Sequence, residues 1–205
     1  MSTDGRLLRG EQTRGAILTR AADIASAEGL EGLSIGRLAT ELRISKSGVF
    51  THFGSKQELQ LATIGKAVEV YREHVLEPAL AEPPGLGRVR ALLAAWQRYE
   101  REPVFSGGCF FHSAMAEYDA RPGRVRDAIA ASQRDWLGFL ERCLREARDL
   151  GEIDAAADLA QIAFELDALQ RTGAAHALLH DDPSLYDRAA RATEARLQAA
   201  VTASR

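Results

Sequence analysis

Positive charge is concentrated between residues 37 and 56 of the sequence. This stretch holds four basic residues and one acidic residue, a local net charge of +3, whereas the whole chain of 205 residues has a net charge of −3. Basic side chains bind DNA phosphates, and hydroxyl and imidazole groups among them can hydrogen-bond to phosphates or base edges. We therefore predict a DNA-binding surface that includes Arg37, Arg43, Ser45, Lys46, Ser47, Thr51, His52 and Lys56.

Lys56 stands in the first turn of a predicted helix. A cation there faces the positive end of the helix dipole, which costs a few tenths of a kcal/mol. A DNA phosphate at this helix start would bond both the ammonium and the free backbone N–H groups. The alternative is a solvated surface lysine, and the residue type alone does not decide between the two.

Aromatic and sulfur-containing side chains are concentrated in residues 96–143. Such side chains can line an apolar cavity on which a few polar groups converge. The alternative is ordinary core packing, which is the commoner use of large apolar side chains. The candidate ligand-binding residues are Trp96, Tyr99, Phe110, Phe111, His112, Met115, Trp136 and Phe139.

Catalytic and metal-binding motifs are poorly represented. The sequence lacks the GxSxG, GxxxxGK[ST] and HExxH patterns. His176 and His180 lie one helical turn apart and could both ligate zinc, but nothing nearby completes the set, which favours a surface or interface role. Cys109 and Cys143 lack CxxC spacing and are interpreted as reduced packing residues. We expect no enzymatic activity, no metal and no cofactor.

Three helix starts within residues 33–59 would position the basic side chains. Ser34 can cap a helix over 35–42, and Ser45 can cap a second over 46–53. Only two residues remain for the turn between them, so these helices must cross steeply, as in a helix-turn-helix whose second helix enters a DNA major groove. Ser55 and Glu58 form a capping box that opens a third helix.

The pattern LAxxLxISKSGxFxHFxSKxEL, over residues 38–59, resembles the signature of the TetR/AcrR transcriptional regulators. The resemblance implies a recognition helix at 45–53, and DNA contacts from Lys46, Phe50, His52 and Lys56. It also implies an inducer cavity within the C-terminal helices. Two residues depart from the family pattern. Phe50 replaces the usual Tyr and removes a hydroxyl, and Arg43 replaces a frequent Gly although Arg fits a left-handed backbone less readily.

The composition is that of a globular protein, with 46% hydrophobic and 27% charged residues. The longest uncharged stretches are about nine residues, such as 172–180, well short of a membrane span. The first twelve residues are too polar for a signal peptide. We therefore expect a cytoplasmic protein without membrane segments.

The last two predicted helices carry the expected subunit interface. The segment 155–179 is apolar around most of its circumference and must be buried on two sides. The next helix begins at Asp182-Pro183 and presents a stripe of small residues. We predict a two-fold dimer through Phe164, Tyr186, Ala189, Ala190, Thr193 and Leu197.

Together these patterns predict an all-α protein of about nine helices. Residues 1–54 are expected to form a helix-turn-helix DNA-binding domain and residues 55–205 a helical ligand-binding and dimerisation domain, with the helix over 55–82 linking them. The predicted function is a ligand-responsive transcriptional regulator, a repressor that binds a palindromic operator as a homodimer and is released by a small hydrophobic molecule. The alternative is a helical small-molecule-binding or carrier protein without DNA function. The positive charge and the two capped helices around a two-residue turn favour the regulator.

Overall fold

The structure, a computed structural model, describes residues 2–102 and 104–202, with the backbone alone for residues 2–9. Within these ranges the chain forms α-helices, one π-helical turn and a single antiparallel bridge between Ile153 and Val201, and no strand. The all-α prediction is confirmed. The helices are α1 (Ser2–Glu28), α2 (Ile35–Glu41), α3 (Lys46–Phe53), α4 (Lys56–Tyr71), α5 (Glu77–Leu80), α6 (Leu86–Arg101), α7 (Phe110–Tyr118), α8 (Arg124–Asp149), α9 (Leu159–His180) and α10 (Ser184–Gln198).

Side-chain caps begin several of these helices, because an oxygen before the first turn can accept from a backbone N–H that has no helical partner. The Ser34 hydroxyl accepts from the N–H of Arg37, and the Ser45 hydroxyl accepts from that of Gly48. Both caps were predicted from the sequence. Asp158 caps α9, which therefore begins four residues later than the predicted start at 155.

A π-helical turn over Arg72–Leu76 joins α4 to α5. Pro78 has no N–H for the carbonyl of His74, and its ring would clash with that carbonyl in a regular helix. The N–H of Glu77 donates instead to the carbonyl of Arg72, five residues back, which widens the turn. Pro78 therefore distorts the predicted helix over 55–82 without ending it.

The chain divides into two compact units. Unit 1 is Met1–Val70 with Phe105–Ala130, and unit 2 is Tyr71–Val104 with Ala131–Arg205. Unit 1 thus includes α7 as well as the N-terminal helices, and α8 contributes to both units. The predicted boundary at residue 54 separates a DNA-binding from a ligand-binding part, whereas these units are defined by packing, so that boundary stays a prediction.

In unit 2, α9 and α10 pack at close range. A Cβ added at Gly173 would lie 2.3 Å from the Cβ of Ala189, so these helices approach closely because Gly173 has no side chain. Ala189, Thr193 and Leu197 are buried within the chain at this contact. Their burial comes from packing within one chain, and their predicted place at a subunit interface stays a prediction.

No described helix has both the length and the apolar character that crossing a lipid bilayer requires.

Candidate nucleic-acid interface and ligand-binding region

A Schellman motif forms the turn of the helix-turn-helix. The N–H of Ile44 donates to the carbonyl of Ala39 at 3.0 Å, and the N–H of Arg43 donates to that of Thr40 at 3.3 Å. Arg43 has a φ of 56°, the left-handed conformation that this motif requires and that glycine adopts most readily. The close spacing of α2 and α3 therefore imposes an unfavourable backbone conformation on a charged residue.

Helix α3 is anchored by two buried residues, Val49 and Phe53. Its opposite side is exposed at Lys46, Ser47 and Thr51, and Phe50 is 54% exposed despite its aromatic ring. The predicted DNA-binding residues of α3 thus share one outward side, except that His52 is half-buried and its ring lies 6.1 Å from that of Phe53.

Arg37 forms ion pairs within the chain. Its guanidinium bonds both carboxylate oxygens of Glu28, one of them at 2.7 Å, and donates from Nε to Glu41 at 2.8 Å. These bonds to Arg37 hold the pKa of both carboxyls below the usual range. Two carboxylates therefore offset the positive charge of Arg37 near α2.

Lys56 has an intramolecular partner as well. Its Nζ donates to the carbonyl oxygen and to the carboxylate of Glu31, each at 2.8 Å. The ammonium of Lys56, with the hydroxyl of Tyr118 and the amide of Gln60, lowers the pKa of Glu31 to about 2. These bonds to Glu31 explain how a lysine is stabilised at this helix start in the absence of a DNA phosphate. The predicted phosphate contact of Lys56 stays a prediction.

Glu31 belongs to a loop that α7 holds in place. The carboxylate of Glu117 accepts from the backbone N–H groups of Leu30 at 2.6 Å and Glu31 at 3.0 Å. Tyr118 donates its hydroxyl to Glu31 at 2.6 Å, and burial together with this carboxylate raises the pKa of Tyr118. The loop between α1 and α2 is therefore fixed by side chains that are distant in sequence.

Arg43 and Lys46 are the remaining predicted cations. Among the residues that the structure describes, no carboxylate forms an ion pair with either side chain. The methylene chain of Lys46 lies over Gly36, where an added Cβ would be 3.3 Å from Cε. These two exposed cations flank the turn, so they are the basic groups most available to a phosphate.

In unit 2, four aromatic rings form a packed cluster. The rings of Trp96 and Trp136 are 5.0 Å apart, and Tyr71 makes edge contacts with Trp136 at 5.3 Å and Tyr99 at 5.4 Å. Three of these residues were predicted, whereas Tyr71 was not. Phe139 is half-buried and its ring lies 5.6 Å from the guanidinium carbon of Arg142.

Buried carboxylates accompany both tryptophans. The indole N–H of Trp96 donates to Glu100 at 2.9 Å, and that of Trp136 donates to Asp167 at 2.8 Å. Asp167 also accepts from Arg171 at 2.9 Å and from Gln133 at 3.2 Å. These polar residues were not predicted from the sequence. The i, i+4 spacing of Trp96 with Glu100 and of Asp167 with Arg171 was the available signal.

The other four candidate ligand-binding residues lie on α7, in unit 1. Phe110 is fully buried and its ring lies 5.3 Å from that of Phe111, while His112 and Met115 are half-buried. The eight predicted residues therefore fall in different compact units, four in each.

Unit 2 also contains a cleft of about 210 Å³ between α6, α9 and α10. Its lining is partly polar and includes the ion pair of Arg90 with Glu194, at 2.9 Å. None of the eight predicted ligand-binding residues lines it. The lining residues are Arg90, Leu93, Ala94, Gln97, Gln170, Ala190, Thr193 and Glu194.

Two family models match the sequence. One, described as "Bacterial regulatory proteins, tetR family", matches residues 17–63 and so covers α2 and α3. The other, described as "Tetracyclin repressor-like, C-terminal domain", matches residues 85–193. No curated protein is significantly similar to the chain in sequence.

Solved structures share the whole fold. A TetR transcriptional regulator from Chloroflexus aurantiacus is 22% identical, with a TM-score of 0.87, over 94% of this chain and 98% of the other. A TetR-family regulator from Streptomyces coelicolor is 25% identical, with a TM-score of 0.79, over 93% and 96%. AibR, solved in complex with isovaleryl coenzyme A and operator DNA, is 24% identical, with a TM-score of 0.59, over 75% and 81%.

Proposed function

The chain belongs to the TetR family of bacterial transcriptional regulators, and from that premise we propose that it is a repressor that binds a palindromic operator as a homodimer and leaves it when a small hydrophobic molecule binds. Regulators of this family bind operator DNA and small-molecule ligands. They are typically transcription factors without enzymatic activity, and we assign no catalysis to this chain. Residues 1–54 are the proposed DNA-binding part, and residues 55–205 bind ligand and dimerise.

The observation that carries this proposal is the outward side of α3. Ser45 caps the helix, Val49 and Phe53 anchor it, and the side opposite them is open to solvent. A short, rigidly held helix with an exposed side and flanking cations is suited to a DNA major groove. The proposed DNA contacts are Arg37, Arg43, Ser45, Lys46, Ser47, Phe50, Thr51, His52 and Lys56.

Lysine-to-alanine variants test the DNA surface. Each of Lys46→Ala and Lys56→Ala should weaken binding to all duplexes alike and reduce the log–log salt slope by about 0.9, the value for one lost phosphate contact. Lys66→Ala is the matched control, because Lys66 is paired with Glu69 as Lys56 is with Glu31 but lies outside the proposed DNA contacts. Unchanged slopes for both variants would refute these contacts. A protein that binds ligand but no DNA would be the carrier that the sequence left open.

The proposed ligand-binding residues form one group in each unit: Trp96, Tyr99, Trp136 and Phe139 in the aromatic cluster of unit 2, and Phe110, Phe111, His112 and Met115 on α7 in unit 1. The rings are apolar, while Glu100 and Asp167 provide buried polar groups beside them. Such a combination suits a ligand that is mainly hydrophobic and has a few polar atoms.

Tryptophan fluorescence can test the ligand response, because both tryptophans of the chain lie in this cluster. Hydrophobic compounds, and separately the charged thioester isovaleryl coenzyme A with which AibR was solved, would be titrated with and without operator DNA. Thermodynamic linkage requires ligand and DNA to weaken each other by the same factor, and 5- to 150-fold, or ~1–3 kcal/mol, is typical. Equal ligand affinity in both titrations would exclude release by that compound.

The proposed subunit contact lies on α9. Phe164 is 60% exposed, Leu178 50% and Leu179 75%. These residues recur along one side of the helix, beside the half-buried Ala168. Of the six residues predicted for the interface, Phe164, Tyr186 and Ala190 are exposed or half-buried in the single chain, and Ala189, Thr193 and Leu197 are buried.

A further inference from the structure

The hydroxyl groups on the outward side of α3 are already engaged within the chain. Thr51 Oγ1 donates to the carbonyl of Ser47 at 2.8 Å, and Ser47 Oγ lies 3.1 Å from the capping hydroxyl of Ser45. Ser45 Oγ also accepts from the N–H of Gly48 at 3.0 Å. Because Thr51 Oγ1 donates its proton to the backbone, it cannot also donate to a partner, and the methyl group is the apolar part of this exposed side chain.

The ring of Phe50 lies next to Thr51 and is not needed for the core. Val49 is fully buried and Phe53 is 7% exposed, so they supply the packing of α3, whereas Phe50 is 54% exposed. The outward side of α3 therefore offers an aromatic ring and a methyl group besides the exposed Lys46. It has no Arg, Asn or Gln for paired hydrogen bonds to a base.

An apolar surface can distinguish one base by its major-groove edge. Thymine alone presents a methyl group there, at C5, and Phe and the Thr methyl group are among the side chains that contact it. Cytosine carries only a hydrogen at C5 and so lacks this methyl contact, and guanine and adenine present the N7 acceptor, which an apolar side chain would leave without a partner.

We infer that Phe50 and the methyl group of Thr51 read thymine methyl groups in the major groove, so that each operator half-site carries thymines opposite them. This inference rests on the proposed function, because it requires α3 to enter the groove. Phosphate contacts from Arg43 and Lys46 would set the register of α3, and the apolar pair would supply base discrimination.

The first step of the test selects bound sequences from a randomised duplex pool with the full-length protein. Each thymine common to the selected half-sites is then replaced, one at a time, by deoxyuridine, which removes only the C5 methyl group. We expect binding to weaken about fourfold at each contacted thymine, the factor that corresponds to about 0.8 kcal/mol per buried carbon. Replacements elsewhere in the duplex should have no effect.

Side-chain variants then assign each methyl contact. Phe50→Ala should bind the thymine and deoxyuridine duplexes equally at one position, and Thr51→Ser, which keeps the hydroxyl, should do so at another. Lys66→Ala, on α4 and outside the proposed DNA contacts, is the control and should remain as sensitive to deoxyuridine as the parent protein. Both Phe50 and Thr51 are exposed, so these changes should leave the melting temperature unchanged.

The outcomes separate this inference from the proposed function. A protein that selects no sequence at all fails as an operator-binding regulator, and the inference fails with it. A protein that selects a defined sequence but tolerates every deoxyuridine replacement is still a regulator, and only the methyl readout is overturned. Equal deoxyuridine sensitivity in Phe50→Ala, Thr51→Ser and the parent protein would also overturn it.

Discussion

Arg43 combines an exposed charge with a left-handed backbone, at a φ of 56°. This conformation costs roughly 1–2 kcal/mol for most L-residues, whereas Asn adopts it more readily. Arg43→Asn should therefore stabilise the protein by about 0.5–1 kcal/mol and weaken DNA binding through the lost charge. Urea denaturation and a salt titration of DNA affinity would measure the two effects.

Arg43→Ala separates the backbone from the charge at this position. It removes the same cation, but alanine lacks the short polar side chain that lets Asn adopt a left-handed conformation, so it should weaken DNA binding like Arg43→Asn without the gain in stability. Equal stabilities of the two variants would contradict the strain assigned to this turn.

Glu31 links the pH dependence of stability to Lys56. Its folded pKa of about 2 lies below the ordinary value of 4.5, so its stabilising contribution is present above pH 4.5 and is lost as the pH falls toward 2. Because the side chain is 49% exposed, screening reduces this contribution to about 1 kcal/mol. Glu31→Gln should be less stable than the parent by that amount at pH 7, as measured by urea denaturation.

The pH profile distinguishes this ion pair from a general packing defect. The stability difference between Glu31→Gln and the parent should shrink between pH 4.5 and about pH 2, because Glu31 takes up its proton in the unfolded state near pH 4.5 and in the folded state only near pH 2. A difference that stays constant over this range would argue against the pair with Lys56. Glu11→Gln, at an exposed carboxyl on α1, provides the control.

At the scale of helices and loops, Gly107 allows the loop before α7 to contact α1. A Cβ at Gly107 would lie 2.4 Å from backbone atoms of Ala27, and the N–H of Gly107 donates to Ser26 Oγ at 3.0 Å. Gly107→Ala should therefore cost about 1–3 kcal/mol, the usual penalty of overpacking. Thermal unfolding monitored by circular dichroism would measure the loss.

Gly65→Ala is the control for Gly107→Ala, because it makes the same substitution at a position with open space. Gly65 lies on the exposed side of α4, and an added Cβ meets no atom within 4 Å. Alanine there should stabilise the protein by up to about 1 kcal/mol, because it has a higher helix propensity than glycine. If both glycine variants changed stability in the same direction, the packing argument for Gly107 would be wrong.

Local sequence signals predicted most of the helices. Ser34 and Ser45 act on backbone N–H groups three residues away, so their caps can be read directly from the sequence. The π-helical turn is less predictable. Pro78 indicates a distortion, but whether the helix ends or widens depends on how the following residues pack.

Contacts between distant residues could not be predicted in this way. Lys56 with Glu31 and Trp136 with Asp167 are separated by 25 and 31 positions, and nothing in the local pattern couples them. The small-residue stripe of α10 was recognised, but periodicity does not say which neighbouring helix covers it. Ala189 packs against Gly173 of the same chain.

At the scale of the whole molecule, the exposed side of α9 leads to a prediction about assembly. Phe164→Glu should convert the proposed dimer into monomers and weaken operator binding, because a charge at a buried apolar contact is unfavourable and both half-sites must be held together. Leu150→Glu is the control, since Leu150 is 61% exposed at the end of α8. Analytical ultracentrifugation would give the masses, and circular dichroism would verify that both variants are folded. A dimeric Phe164→Glu with full operator affinity would place the interface elsewhere.

The division of the chain has a consequence for making chimeric regulators. Unit 1 includes Phe105–Ala130, which follows Tyr71–Val104 of unit 2 in the sequence. Neither unit is therefore a continuous segment. A fusion that transplants only the first 54 residues onto a foreign sensor would leave behind Glu117 and Tyr118, which hold the Leu30-Glu31 loop. A chimera that keeps α7 together with the N-terminal helices would preserve those bonds. Productive crossover points should therefore lie near the two ends of Phe105–Ala130, and not at the end of α3.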